Sequence, residues 1–260
     1  MLLFWKIGGA STTLFSNAGL YKAALCAVVA VYVLSTIFII LFKVPDFQAG
    51  TFSQSCYRFN GYIGVAIALN WLGDEGIKHF AILMGMIIPV INVLCVSTLA
   101  WFSGKHLLPA KRLAQAAKAV ISNPLILACI GGILYANLWQ GFPPFIDNAL
   151  KLSSAVALPL ALLSIGGALT LTTVRDHFKM SLVSSIFKLM ILPAVGYLFL
   201  MVFGVSGLVL KVGLIFFALP TSSAVHILSS QLNSDTDLAA ASIAMSTMLS
   251  FFSLSIVLLL

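Results

Sequence analysis

Two short polar interruptions stand inside apolar runs of this chain: Pro220-Thr221-Ser222-Ser223 within LIFFALPTSSAVHIL, and Arg58, Asn60, Gly61 and Gly64 within FSQSCYRFNGYIGVAIALN. Proline lacks a backbone N–H and disturbs the preceding turn, so a helix that meets Pro220 breaks there. Thr221, Ser222 and Ser223 then supply hydroxyls able to cap a restarted half-helix. Asn60 can do the same beside glycines that permit unusual backbone angles. The start of a half-helix offers free N–H groups and about half a positive charge, which favours a carboxylate by up to ~2 kcal/mol when partly buried. Residues of these types suit the capture of a small organic anion. A plainer reading stays open for each break taken singly: Pro220 kinks one helix, and the glycines let neighbours pack closely.

Other polar residues within apolar runs divide between pathway and packing. Arg58 lies about 9 Å and Lys188 about 12 Å along a helix from the cytoplasmic end, within reach of snorkelling to the interface or of lining a substrate path. No acidic residue lies deep in a run to pair with them. His226 suits either a proton relay or a packed neutral ring. Asn92, Thr247 and Ser250 suit either ligand contact or hydrogen bonding between helices. Gly204 to Gly207 spell the GxSG of an intramembrane serine protease, but Ser206 falls in a joint. All seven acids also fall in or beside joints, and no metal-ligand or phosphate-cradling spacing occurs. The expectation is a protein without catalytic residues, metal or cofactor. The four cysteines, without a CxxC or Cys/His spacing, are expected to pack.

The elements that must position these residues are membrane spans. With 61% hydrophobic and 8% charged residues, the chain is far too apolar for a water-soluble fold. Its +7 net charge resides mostly in joints, without a basic patch interleaved with aromatics, which argues against nucleic acid and for orientation in a bilayer. Runs long enough to cross about 30 Å of hydrocarbon fall at 21–42, 79–102, 121–139, 152–170, 180–203, 208–232 and 236–260, with the weaker 52–70 as an eighth. Shifting the chain on itself by 161 residues, Asp74 onto Asp235, superposes 21–42 on 182–203 and Asn60-Gly61 on Thr221-Ser222. Paired interrupted spans in two halves point to a transporter's binding site.

The same shift maps 121–139 wholly and 152–170 partly to positions ahead of Met1, leaving of the second only a stub around Leu2 to Gly9. The first copy is therefore expected to be short of two helices, either as a shortened version or through a start placed too late. The expected organisation is an all-α polytopic bundle of about eight spans: an incomplete first repeat over 1–102, a basic cytoplasmic loop over 103–120, and a complete five-helix repeat over 121–260. An odd number of spans per repeat inverts one copy relative to the other. Lys43, Lys105, Lys111, Arg112, Lys118, Arg175 and Lys179 fall on one side and Lys6, Lys22, Lys78, Lys151 and Lys211 on the other. The bias puts the loop in the cytoplasm and both termini outside.

The chain also resembles the auxin efflux carrier family of permeases, which includes bacterial malate and malonate carriers. The likeness runs from LLFWKIGGAS through YRFNGYIGVAIALNWLGDEG, IIPVINVLCV, SNPLILACIGG, ALPLALLSIGGAL and FKLMILPAVGY to ALPTSSAVHILSSQLNSDTDLAAASIAMSTMLS. It implies ten helices in two inverted five-helix repeats, the fourth and ninth broken and crossing where substrate binds. The breaks it matches give the substrate site as Asn60, Gly61, Pro220, Thr221, Ser222 and Ser223; Arg58, Lys188, His226, Asn92 and Thr247 stay candidates for pathway or coupling from their own places in the spans. The expected activity is secondary transport of organic anions such as carboxylates across the plasma membrane by alternating access. A membrane-embedded fragment that binds without cycling is the alternative, the serine protease a remote one, and a homodimer is left open.

Overall fold

The computed structural model describes residues 4–5, 9, 18–103, 114, 117–118, 121–122, 124–139, 141–153, 156 and 175–259. Its described elements are helical. They are α1 (Ala18–Leu41), α2 (Asp46–Tyr57), α3 (Gly61–Ser103), α4 (Pro124–Leu138), α5 (residues 144–153), α6 (Phe178–Val202), α7 (Gly207–Ala218), α8 (Ala224–Gln231) and α9 (Thr236–Leu259). Among the described residues, four stretches are long and apolar enough to cross a membrane: Ala18–Leu41, Glu75–Phe102, Phe178–Val202 and Thr236–Leu259. The expected span at 152–170 and the loop at 103–120 lie mostly outside the described residues.

Local chemistry explains where the helices stop. After α1, Lys43 adopts a left-handed φ of 49° and the Val44 N–H returns to the Ile39 carbonyl, a Schellman end, before Pro45 prevents continuation. After α6, Gly204 (φ 66°) and the Val205 N–H to Leu200 carbonyl bond repeat that ending. α3 is two helices in one: Gly73, at φ 65° and ψ −162°, holds a backbone shape open only to glycine, so a short half-helix ends there and the span from Glu75 begins. Within α6 the residues Phe187–Ile191 form a π-turn. Pro193, just beyond it, has no N–H to give the Leu189 carbonyl, and the widened turn accommodates the proline ring.

The order long helix, half-helix, half-helix, long helix thus occurs twice, as α1–α2–α3 and as α6–α7–α8–α9. The 161-residue shift carries Asp46–Tyr57 onto Gly207–Ala218. Packing is close where glycine meets a large ring. A side chain at Gly196 would collide with the Phe217 ring, and one at Gly64 would meet Phe80 and, at 2.7 Å, Leu219. Bulky apolar side chains such as Ile40, Met190 and Phe251 face outward, whereas hydroxyls of Ser35, Thr51, Ser53, Ser184, Ser242 and Ser246 are buried among the helices. That is the distribution expected of a chain whose solvent is lipid and whose helices join through small and polar residues.

Candidate functional site

The two interruptions meet. Phe59 and Thr221 form an isolated antiparallel bridge, in which the Asn60 N–H donates to the Pro220 carbonyl at 2.9 Å and the Ser222 N–H to the Arg58 carbonyl at 3.3 Å. Arg58 and Leu219, the residues that end α2 and α7, are extended. Both breaks free backbone groups that lipid cannot satisfy, and each break satisfies part of the other. Pro220 fits this exchange because only its carbonyl is required.

Asn60 caps α3 as its sequence position suggested: Oδ1 accepts from the Tyr62 and Ile63 N–H groups at 3.1 and 3.3 Å. Its side-chain amide N–H groups enter no hydrogen bond among the described residues. Ser222 performs the matching service for α8, its Oγ accepting from the Ala224 N–H at 3.2 Å, while Ser223 makes no side-chain cap. Thr221 is fully employed: its hydroxyl donates to the Ser55 carbonyl at 3.0 Å and its N–H to Ser246 Oγ at 3.1 Å. The glycines act differently from expectation. Neither Gly61 nor Gly64 has a positive φ; both are helical, and what they supply is room, for Met84 beside Gly61 and for Phe80 and Leu219 beside Gly64.

The two basic residues do not snorkel. Arg58 is 6% exposed and Lys188 0%. Arg58 Nη2 donates to Asn92 Oδ1 at 2.9 Å, and its buried Nη1 has no hydrogen-bond partner. Lys188 Nζ donates to the Phe217 carbonyl in the last turn of α7 at 3.1 Å. Among the described residues no carboxylate pairs with either cation. Distance along a helix shows how far a side chain is from the interface, but not which way it faces, and both face the bundle interior.

A buried polar seam beside the crossing escaped the sequence reasoning. Thr51 Oγ1 lies 2.7 Å from Ser229 Oγ and 2.9 Å from Ser234 Oγ, and Gln54 Nε2 donates to Ser229 Oγ and the Val225 carbonyl. Gln54 Oε1 is buried without a partner. The signal was present: Thr51, Gln54, Ser55 and Arg58 recur at helical spacing on one face of α2.

Other expected path residues are not drawn in. Thr247 spends its hydroxyl on the Ile243 carbonyl of its own helix, and His226, half-buried in α8, makes no side-chain hydrogen bond among the described residues. Ser206 is exposed at the start of α7, no hydrogen bond links it to His226, and the two do not form a nucleophile and base. His177, Asp235 and Asp237 gather with ligand atoms within 4.8 Å of one another. Asp235 there caps α9 through the Leu238 N–H and accepts from Gln48 Nε2, so its carboxylate ties helix ends together.

Neither Asn60 nor Thr221 lines either of two surface cavities formed by described residues. One of about 420 Å³ is lined by residues including Lys43, Val44, Asp46 and Phe102, the other of about 240 Å³ by Ala66, Ile67, Asn70, Trp71 and Leu258.

A model of the family described as membrane transport protein matches residues 109–258, more than half of the chain. An uncharacterized transporter of Methanocaldococcus jannaschii is 25% identical over 215 residues, covering 80% of this chain and 67% of its own length.

Proposed function

This chain belongs to the membrane transport protein family, the auxin efflux carrier kinship that its motifs led us to expect, and on that premise we propose that it carries small organic anions by alternating access. It is an integral multi-pass membrane protein.

The observation that carries this reading is the charge at the crossing. The N-terminal ends of α3 and α8 meet the carboxyl ends of α2 and α7 there, so the half-charges of the helix ends largely offset, and the net positive charge comes from the buried side chains: Arg58, without a carboxylate partner among the described residues, and Lys188, set against the last turn of α7. A centre with buried positive charge, no carboxylate pair among the described residues and unspent donors on Asn60 and Arg58 favours an anion and repels a cation. We assign the substrate to Asn60, Gly61, Pro220, Thr221, Ser222 and Ser223. Within this set, Thr221 holds the crossing together while Asn60 and Ser222 present polar groups to the ligand. An anion leaving an inside-negative cell gains about 2.3 kcal/mol per charge per 100 mV, enough to drive export without a further ion.

The direct test is uptake of labelled mono- and dicarboxylates into proteoliposomes. Asn60→Ala is expected to weaken carboxylate binding about 2- to 30-fold, the loss of a cap and a ligand hydrogen bond worth about 0.5–2 kcal/mol. Insertion should be unaffected, because Asn60 does not drive partition. Thr221→Ala, which removes a bond from the Ser55 carbonyl, is expected to lower thermal stability as well as binding. Full wild-type affinity in folded Asn60→Ala protein would put the substrate elsewhere.

The two halves are, in the same reading, inverted repeats. Reporter tags near Lys111 should then be cytoplasmic and tags after Leu260 external. A cytoplasmic C-terminus would remove the inversion, since an odd number of spans must separate the two positions.

A further inference from the structure

We infer that Lys188 is a tethered cation: its ammonium fills, at the carboxyl end of half-helix α7, the kind of backbone-carbonyl site where carriers with broken helices bind an alkali coupling cation, so this crossing needs no sodium. The inference deepens the reading of the crossing as a transport site, and its test reads cation binding instead of substrate.

A helix end leaves its last carbonyls without intrahelical partners and carries about half a negative charge. At membrane depth water does not reach them, so the partners must come from the protein or from a bound ion. In broken-helix carriers, unwound carbonyls and half-helix C-termini coordinate sodium or a proton. Here the groups at the end of α7 have other partners. The Ala218 carbonyl accepts from Ser253 Oγ at 3.0 Å, the Pro220 carbonyl from the Asn60 N–H at 2.9 Å, and the Phe217 carbonyl from Lys188 Nζ at 3.1 Å. Only the last of these partners is charged.

Lys188 reaches that carbonyl from a different helix, and α6 is shaped for the approach. The lysine sits in the π-turn Phe187–Ile191, and two turns on Gly196 lets the Phe217 ring lie directly against α6. The ammonium is wholly buried, and none of the acidic residues pairs with it among the described residues. Its neutralising partner is therefore the end of α7. An ammonium has three donors, of which the Phe217 carbonyl takes one, leaving two open to a ligand as an alkali ion would leave open coordination. The corresponding position in the first half, by the 161-residue shift, is Ala27, so the lysine belongs to one half only.

The test uses purified full-length protein in detergent at constant ionic strength. Wild-type protein should have the same Tm in sodium chloride as in choline chloride and show no saturable binding of ²²Na⁺. Lys188→Ala should lower Tm by about 5 °C or more, and methylammonium should restore it saturably by entering the vacated space. Lys188→Met supplies similar bulk without charge; its Tm should fall as far and should not respond to methylammonium. The idea fails if Lys188→Met keeps the wild-type Tm, if methylammonium leaves Lys188→Ala unchanged, or if the wild type binds ²²Na⁺ saturably. Should Lys188→Ala not be recovered from membranes, Lys188→Met and the wild-type ²²Na⁺ measurement decide between them.

Discussion

Replacing Arg58 by glutamine is expected to weaken carboxylate binding about 10- to 100-fold while raising thermal stability in the absence of substrate. A charge-assisted hydrogen bond contributes about 1.5–3 kcal/mol, which gives that range of affinity. The opposite sign for stability follows from the same geometry. Arg58 is buried with Nη2 on Asn92, the Cys95 thiol beside it and Nη1 without a hydrogen-bond partner, and no carboxylate pairs with it among the described residues. A cation held at membrane depth costs about 2.5–3.5 kcal/mol, and removing it recovers part of that. Glutamine keeps a donor for Asn92 Oδ1, so the change subtracts charge more than it subtracts structure. An arginine that only buttressed the fold would give lower stability on this substitution, and parallel Tm and radioligand binding measurements separate the two. Lysine at this position should recover part of the binding, as a point charge without the planar fork.

Gly64→Ala is expected to lower stability by about 1–3 kcal/mol, against the usual gain of about 1 kcal/mol when alanine replaces glycine in a helix. Gly64 is helical, so propensity favours alanine. Its added methyl group, however, would run into the Phe80 ring and lie 2.7 Å from Leu219, both fully buried. Overpacking wins because neither neighbour has free space to move into. Leu219 is the residue that ends α7 at the crossing, so the strain is delivered to the site itself. Gly64→Ala combined with Phe80→Leu should be more stable than the sum of the two single changes, a coupling that thermal unfolding of the four proteins measures.

What could be read in advance, and what could not, follows the range of the interactions. The breaks at Asn60 and Pro220 were legible because proline, capping side chains and polar residues in an apolar run act on their own backbone. Their matching places followed from the repeated spacing, and their meeting from the resemblance to the auxin efflux carrier family. The role of Gly64 was not legible, because a glycine needed for a backbone angle and one needed for a neighbour's ring look alike until Phe80 is placed beside it. The burial of Arg58 and Lys188 was equally hidden, since it depends on helices distant in sequence. The π-turn had a local sign in Pro193, as did the polar face of α2 in its spacing, but a reading led by hydropathy passes over both. The His177 and Asp235 contact joins residues on either side of two half-helices and has no local sign at all.

The bridge between Phe59 and Thr221 has a further meaning in the language of hydrogen exchange. The amides of Asn60 and Ser222 belong to different halves of the chain, yet each is closed by a carbonyl of the other break. Neither can open to deuterium by local fraying, because separating one strand of the pair releases both. Their protection should therefore be nearly equal, and it should respond together to any change at either break. The crossing would then behave as one cooperative unit, and any exposure of its ligand to alternate sides would come from movement of that unit as a whole against its surroundings.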